Sequence, residues 1–336
     1  MNSTLSIAIP TYQRAARLAA TLNAFLPQLE PHGVPVCISY TDDTGQTQCV
    51  IEDFRRRYPF VMTATDPSAI NIDRKIVAAV ALARSRYVWL FGDDDFPLPG
   101  AINRVLGLLR EDNWGLLVLN ASSHNSDFSS VVEERRIRVQ RDRNYAPGEH
   151  ESLFCETVRY ATFLGGLVFD KTMWDSVDPT EFLDTDFVHV AVLYRGIAGN
   201  RARLVADPQL CIRLGGATWA SRYFEVELIH WPRVIWGLPT GNYSDASKAR
   251  VCQRRPTASL ARLLATRAYG YYGLDQYRRF IAADAEIPAW KKAILRAPLL
   301  LPASWVRKAF AVFRRVQALW GNPKVELSLY RMENRG

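Results

Sequence analysis

The first 120 residues alternate between short apolar runs and segments with apolar residues at helical spacing, and this alternation restricts the fold most. The apolar runs lie at 5–10, 34–40, 60–65, 87–91 and 115–119, and the helical segments at 12–26, 50–58, 73–85 and 100–110. Short apolar runs indicate buried strands, and strands that alternate with helices form parallel sheets covered on both faces. We therefore predict an α/β, Rossmann-like fold with a mostly parallel central sheet.

Beyond residue 120 the alternation weakens. A polar stretch predicts a loop or irregular ribbon, apolar residues then return, a helix follows, and an edge strand is interrupted at Pro208; these segments are 121–150, 163–169, 187–194 and 203–213. Residues 237–257 are rich in Gly, Ser, Pro and charge, which indicates a linker or surface loop. We predict a main domain at 1–215 and an α-helical C-terminal region at 216–336.

Charge and cysteine content narrow the class of protein. The formal net charge of +8 indicates an anionic partner without saying which kind. The 5 cysteines are scattered, odd in number and without a C-x-x-C pair, so we predict neither a disulfide framework nor a zinc site. A reducing cytoplasm fits this usage. No signal peptide is recognisable, and no window holds the ~18 apolar residues of a membrane-spanning helix.

Three consecutive aspartates, Asp93, Asp94 and Asp95, directly follow the apolar run YVWLF and Gly92. Neighbouring carboxylates repel one another unless a cation neutralises them, and oxygen ligands suit Mg²⁺ or Mn²⁺. The carboxyl end of a strand is where a parallel sheet binds its ligand. Such cations are commonly shared with substrate phosphates, so the run predicts a phosphorylated ligand.

LSIAIPTYQR at the amino terminus, Asn71 within SAINIDRKIVAAVALARSRYVWLFGDDD, and the acidic run together resemble family 2 glycosyltransferases of the GT-A fold. The resemblance covers roughly residues 3–215. The motifs N-I-D-R and W-L-F-G-D-D-D are similar to those of abequosyltransferase-like enzymes of bacterial O-antigen assembly. The resemblance implies an inverting, metal-dependent transfer from a nucleotide-sugar donor, with Mn²⁺ or Mg²⁺ as cofactor.

The resemblance also implies where the donor binds. Its sites are the end of the first strand, the turn after the second, the start of the helix at 73–85, and the acidic run. In the turn we prefer Asp42 over Asp43, to which we assign a turn-forming role. Asp73 alternatively suits a helix N-terminus, and Lys75 offers a cation to the diphosphate. The predicted donor-binding residues are Pro10, Thr11, Tyr12, Arg14, Asp42, Asn71, Asp73, Arg74, Asp93 and Asp94.

The family places the general base downstream, in an acidic element at the start of a helix. EFLDTDFVHVAVLYR supplies Glu181, Asp184 and Asp186, of which we prefer Asp184, then Asp186. The D-x-D pattern fits Asp93 and Asp95 as metal ligands, although Asp94 is also a candidate. His189 is a candidate third ligand. Predicted acceptor and lid residues are Gly165, Gly166 and Trp219, the last within RLGGATWASRY.

The C-terminal region contains a basic stretch. Between Pro288 and Trp320 there are basic residues and no acidic ones. On a helix from Ser304, Trp305, Phe310 and later apolar residues are interleaved with basic pairs, a pattern typical of an interfacial helix. Docking on the catalytic domain is the alternative. We predict a cytoplasmic protein, peripheral on the inner face of the cytoplasmic membrane, with an undecaprenyl-diphosphate-linked saccharide as the candidate acceptor.

Other classes fit less well. A metal-dependent nuclease or phosphodiesterase would place basic residues near the acidic run, whereas here they concentrate in the tail and at 134–143, so no nucleic-acid partner is predicted. A dehydrogenase is disfavoured because no G-x-G-x-x-G follows the first strand. A processive synthase would need spanning helices. An inactive GT-A binding module stays open, although the acidic run and the downstream acidic pair argue against it.

Overall fold

The computed structural model describes residues 3–65, 71–214 and 221–319, with side chains described as far as 312. The chain divides into two compact units. The first unit contains the described residues up to 214 together with 238–251, and the second contains residues 221–237 and the described residues from 252 onward. The acidic run and the downstream acidic element both belong to the first unit.

The first unit is built on one mixed sheet, which confirms the α/β class. Its strand order is β3-β2-β1-β4-β9-β6-β10-β5, with β7 beside β6 and β8 beside β10. The strands are β1 (Leu5–Tyr12), β2 (Val36–Thr41), β3 (Val61–Thr65), β4 (Tyr87–Leu90), β5 (Phe96–Pro97), β6 (Trp114–His124), β7 (Val131–Glu133), β8 (Arg143–Tyr145), β9 (Leu167–Asp170) and β10 (Arg201–Arg213). The first four are mutually parallel, and β9 runs antiparallel between β4 and β6.

Helices follow most of these strands. They are α1 (Ala15–Leu29), α2 (Gln46–Arg57), α3 (Ile72–Leu82), α4 (Ala101–Glu111), α5 (His150–Thr157), α6 (Lys171–Asp175) and α7 (Val188–Gly196). Helix α1 forms because Leu18, Leu22 and Phe25 recur at helical spacing, and all three are fully buried. The predicted strand and helix alternation is therefore confirmed in this part of the chain.

Strand β10 differs from the predicted edge strand. It pairs with β6 on one side and with β5 and β8 on the other. Pro208 interrupts it as expected, because the register with β6 shifts between Val205 and Leu210. The strand nevertheless continues past the interruption, since Leu210 to Arg213 resume pairing with the end of β6.

Residues 238–251 also differ from the predicted linker. They include a helix, Asp245–Val251, and belong to the first unit. Tyr243 is fully buried, and its hydroxyl donates to Tyr194 O at 2.5 Å. Lys248 is fully buried too, with Nζ donating to Leu238 O at 2.5 Å. The polar composition fits the mostly exposed surface of this segment, but it does not show that buried residues such as Tyr243 attach the segment to the first unit.

An aromatic cluster fixes the end of β4 from which the acidic run leaves. Trp89 and Phe91 lie 5.5 Å apart between ring centroids, and Phe25 of α1 contacts both rings at 5.9 and 4.5 Å. Trp89 Nε1 donates to Gly165 O at 2.7 Å, so the buried indole is also satisfied. The strand end is therefore rigid, as a preorganised site requires.

The second unit is helical, as predicted for the C-terminal region. Its α-helices are Tyr223–Glu225, Trp231–Gly237, Leu260–Ala268, Leu274–Tyr277, Ala289–Arg296 and Ala303–Leu319. They pack around Phe224, Leu263, Tyr272 and neighbouring buried side chains. Within the described ranges, none of the helices has the length and apolar character needed to cross a bilayer.

Candidate active site

The acidic run lies where β4 ends, and its first carboxylate is tightly held. Asp93 is buried, and its Oδ2 accepts a hydrogen bond from Thr11 Oγ1 at 2.6 Å. Its Oδ1 accepts from Arg14 Nη1 at 2.7 Å. Burial raises the pKa of Asp93, while the Arg14 charge opposes that rise. Strand β1 and the start of α1 thus orient this carboxylate from one side.

Asp94 is the most accessible of the three aspartates. Its side chain is 22% exposed, compared with 6% for that of Asp93. Its Oδ2 pairs with Arg14 Nη1 at 3.2 Å and with Arg17 Nη1 at 2.8 Å. Two guanidinium groups converge on one carboxylate because the run creates a strongly negative site. A hard divalent cation would be favoured by the same potential.

Asp95 faces the interior instead. It is buried, and its Oδ2 lies against Gly92, where a methyl group would overlap with it. Burial, followed by the charges of Asp94 and Asp93, raises its pKa well above the usual range. The predicted D-x-D pair of Asp93 and Asp95 is therefore not arranged as an open pair of ligands.

His189 does not complete a metal site in this structure. It is buried in α7, and burial lowers its pKa to about 4, so the ring is neutral at pH 7. In the described part of the chain, no three His, Cys, Asp or Glu side chains come together in a group that could hold a metal ion. The predicted trio of Asp93, Asp95 and His189 is thus not assembled.

The donor-binding candidates at the end of β1 differ in exposure. Pro10 is buried and lies beyond the last β1 residue paired with β4, Ala8, so its missing N–H interrupts no bond there. Tyr12 is 38% exposed at the strand end. Lys75, predicted to reach toward a diphosphate, is buried and stacks its Nζ 4.7 Å from the Tyr12 ring centroid.

In the acidic turn after β2, Asp42 makes the turn-forming contacts that were predicted for Asp43. Asp42 accepts hydrogen bonds from the Thr44 N–H, the Thr44 hydroxyl and the Gln48 N–H, each at 3.0 Å. These bonds lower its pKa despite the opposing effect of burial. Asp43 is the exposed residue, with Oδ2 accepting from Gln13 Nε2 at 2.5 Å. Asp42 forms the turn, and Asp43 is left facing outward.

At the start of α3, two of the residues predicted to bind the donor, Asn71 and Asp73, make structural hydrogen bonds. Asn71 is the N-cap, with Oδ1 accepting from Arg74 N at 2.9 Å. Asp73, predicted as a donor-binding residue, is fully buried and has no exposed surface for a donor in this structure. Its carboxylate accepts backbone hydrogen bonds from Thr185, Asp186 and Val188. Arg74 is exposed.

The downstream acidic element forms a tight turn before α7. Asp184 is exposed, Asp186 is half-buried, and both have positive φ, +69° and +65°. The Asn71 Nδ2 group donates to Asp184 Oδ1. Glu181 is exposed and pairs with Arg195 Nη2 at 2.9 Å. Of the two aspartates, Asp184 is thus the more accessible, and its carboxylate is oriented by the Asn71 side chain.

The predicted acceptor glycines serve packing. A methyl group on Gly165 would overlap with Leu210 and Phe163, and one on Gly166 would overlap with Tyr160. Both glycines are buried in this structure, and their lack of a side chain leaves room for these neighbours. Trp219 lies outside the described residues, as does most of its lid segment.

Arg17 and Thr21 were not predicted as site residues, although their spacing from Arg14 along α1 indicates a contact with the acidic run. Thr21 Oγ1 donates to Asp93 O at 3.0 Å and to Asp95 O at 3.2 Å. Residues 14, 17 and 21 are spaced by three and four positions, so they lie on one face of α1. That spacing indicates that all three side chains contact the same partner, which in the structure is the acidic run.

Contacts connect this site to the downstream turn. Helix α3, whose N-cap holds Asp184, touches Tyr12 through Lys75. Next to Tyr12, Thr11 bonds Asp93. The carboxylates after β4 and the turn before α7 therefore lie along one continuous series of contacts at the same end of the sheet.

Known proteins share these features. Residues 6–165 match the family model described as glycosyl transferase family 2. Abequosyltransferase RfbV of Salmonella typhimurium is 24% identical over 199 residues, which are 56% of this chain and 60% of that relative. The match thus spans less than two thirds of the relative's length.

Solved structures share the fold. TarS 1-349 of S. aureus has a TM-score of 0.58 at 13% identity, over 93% of this chain and 92% of that chain. The mannosyltransferase PcManGT from Pyrobaculum calidifontis, solved with GDP-Man and Mn²⁺, has a TM-score of 0.53 at 14% identity, over 95% of this chain and 83% of that one. The match over residues 6–165 thus identifies a glycosyl transferase family 2 domain in this chain, and the structural likeness shows that the fold is GT-A.

Proposed function

We propose that this protein transfers a sugar from a nucleoside-diphosphate donor to a saccharide acceptor with inversion at the anomeric carbon. The observation that carries the proposal is the cluster at the end of β4, where Asp93 and Asp94 meet Arg14 and Arg17. Carboxylates for a cation beside guanidinium groups for phosphate suit a diphosphate leaving group. TarS has been solved with UDP-GlcNAc, which supports the donor class.

Asp93 and Asp94 are the residues that would hold Mn²⁺ or Mg²⁺. Their fit rests on the donor set, because hard oxygen ligands at a negative site already attract two cationic side chains. When bound, the ion would stabilise negative charge on the departing diphosphate. Arg14 and Arg17 are placed to turn from the carboxylates to the phosphate oxygens, while Thr11 keeps Asp93 in place.

Asp184 is the proposed general base. It takes the proton of the acceptor hydroxyl as that oxygen bonds to the anomeric carbon, and the bond to the diphosphate breaks with its electron pair leaving on the phosphate. Exposure and the Asn71 hydrogen bond favour Asp184 over the half-buried Asp186. Tyr12, Asp43 and Arg74, exposed at the same sheet end or in neighbouring turns, are the proposed contacts to the nucleoside.

A donor panel tests the activity. Purified protein with Mn²⁺ is offered UDP, GDP, CDP and TDP sugars, and release of the nucleoside diphosphate is measured. We expect turnover of at least one donor, and EDTA should reduce it by ~100-fold or more, since the metal stabilises the leaving group. Equal turnover after EDTA would exclude metal dependence, and no binding or turnover of any donor would contradict the proposal itself.

We also propose that the second unit attaches to an anionic membrane carrying a lipid-linked saccharide acceptor of bacterial surface polysaccharide. Exposed apolar side chains support this: Trp290 and Trp305 are each 67% exposed, and Leu300 is 78% exposed. Lysines 291, 292 and 308 are interspersed with them. This composition matches an interfacial surface, with the protein peripheral on the cytoplasmic side.

The last described helix has two faces. Phe310 contacts Tyr269 at 5.9 Å between ring centroids, and Arg307 Nε donates to Ala268 O at 3.0 Å. Trp305 and Val312 are exposed. Phe310, part of the predicted interfacial pattern, thus docks within the second unit together with Arg307, and Trp305 is the proposed lipid contact.

Vesicle sedimentation measures this attachment. Wild-type protein should bind vesicles with phosphatidylglycerol more tightly than neutral phosphatidylcholine vesicles, by ~1 kcal/mol per basic residue near the surface. Replacing Trp290 and Trp305 by Ala should weaken binding by about tenfold or more, because apolar area no longer enters the interface. The matched control replaces two other exposed apolar residues, Val131 and Val132, by Ala. Equal loss in both pairs, or no lipid preference, would contradict the proposed surface.

A further inference from the structure

The turn before α7 adopts a conformation that its own residues do not favour. Asp184 and Asp186 both have positive φ, +69° and +65°, with Thr185 between them. Non-glycine residues adopt this region rarely because it strains the backbone, although aspartate tolerates it better than most. Something outside the turn must therefore hold it in place.

Asp73 of α3 provides that restraint. Its Oδ2 accepts the N–H groups of Thr185 and Asp186, each at 2.8 Å, and its Oδ1 accepts the N–H of Val188 at 3.0 Å. Asp73 has no exposed surface. A buried carboxylate bonded by three backbone donors from one turn determines the path of that turn, because moving any donor away leaves charge unsatisfied.

Asn71 extends the restraint from backbone to side chain. Its Oδ1 caps α3, and its Nδ2 donates to Asp184 Oδ1. Asn71 and Asp73 both lie at the start of α3. Asp73 holds the backbone around Asp184, and Asn71 holds the Asp184 carboxylate. Lys75, one helical turn from Asn71, contacts Tyr12 beside the metal-binding candidates.

We propose that Asp73 is a positioning residue for the general base, which it places by clamping the 184–188 turn to α3. This inference rests on the proposed function, because it assigns Asp184 a proton to accept. Asp73 touches no substrate and acts only through Asp184. Asparagine cannot replace it, since an amide offers one acceptor oxygen and turns an NH₂ donor toward backbone donors.

The test compares Asp73→Asn with a matched control, Asp170→Asn. Asp170 also accepts two backbone N–H groups, from Thr172 at 2.8 Å and Met173 at 3.3 Å, but at the N-cap of α6. Amide hydrogen exchange at Thr185, Asp186 and Val188 measures how firmly these N–H groups are bonded to Asp73, and it does not depend on catalytic activity. We expect exchange there to be at least about tenfold faster in Asp73→Asn, and unchanged in Asp170→Asn.

Kinetics supply the second readout. Asp73→Asn should lower kcat by ~100-fold with the donor KM within about threefold, because misplacing a reacting group by an ångström has this effect. Asp170→Asn should leave both constants near wild type. Should Asp73→Asn fail to fold, Asn71→Ser retains a capping oxygen but loses the bond to Asp184, and kcat should fall by roughly tenfold.

Two results would overturn the inference. One is unchanged exchange of the three amides in Asp73→Asn, and the other is a kcat no lower than that of the control. Lack of transfer by the wild-type protein would instead contradict the proposed function, and the exchange rates would still decide whether Asp73 clamps the turn.

Discussion

Asp184→Asn is expected to lower the kcat of sugar transfer by about 10²- to 10⁴-fold, the usual contribution of a positioned general base. The donor dissociation constant should stay within about threefold of wild type, because an amide has nearly the shape of the carboxylate and Asn71 can still contact it. Single-turnover transfer and nucleoside-diphosphate binding, measured on the same preparation, separate these two effects.

Asp186→Asn is the matched control for the base. Asp186 has a similar backbone conformation and lies two residues away, but it is half-buried rather than exposed. We expect its kcat to fall by less than tenfold, a change that slight misplacement of the turn can produce. A larger fall in Asp186→Asn than in Asp184→Asn would move the base to Asp186. Full transfer in both variants would remove the base from this turn altogether.

The sequence predicted the framework of the fold because its signals are local. Strand β4 is recognisable from four consecutive apolar residues, all buried, and the acidic run directly after it marks the ligand-binding end of the sheet. The direction of β9, in contrast, depends on which strands flank it. A run such as LVFD is equally suited to a parallel or an antiparallel place in the sheet.

Side-chain roles were harder to predict because they depend on contacts between distant segments. Asp73 precedes Thr185 by 112 positions, so its bond to that backbone leaves no trace in local spacing. Asp42 and Asp43 are adjacent and carry the same side chain, so the sequence alone does not show that it is Asp42 that accepts the Gln48 N–H. Arg17 could have been recognised from its helical spacing to Arg14, because that signal is local.

The arginines on α1 also bear on the competing nuclease hypothesis. Arg14 and Arg17 do place basic residues at the acidic run, which was the stated signature of that class. The match over residues 6–165 favours the glycosyltransferase, because the matched glycosyl transferase family 2 domain includes both arginines and the acidic run. Guanidinium groups at this site therefore fit a diphosphate ligand better than a nucleic-acid backbone.

The acidic run separates into residues with different exposure, and this difference predicts which of them binds metal. We expect Asp94→Asn to weaken Mn²⁺ binding, measured with nucleoside diphosphate present, by ~100-fold or more. Removing a unit charge about 4 Å from a cation costs on the order of 4 kcal/mol near a protein surface. Electron paramagnetic resonance of free Mn²⁺ measures this affinity directly, and transfer should fall in parallel.

Asp95→Asn is the matched control, because it makes the same chemical change one residue away. Asp95 is buried against Gly92, and burial with two neighbouring carboxylates raises its pKa, so removing its charge costs less there than at the more exposed Asp94. The amide should therefore cost less than about tenfold in Mn²⁺ affinity, with little loss of thermal stability. If Asp95→Asn weakens Mn²⁺ as much as Asp94→Asn does, the ligands are Asp93 and Asp95, as the D-x-D spacing predicts. The carboxyl of Asp95 must then turn away from Gly92 on binding, which would make the acidic run a site formed by its ligand.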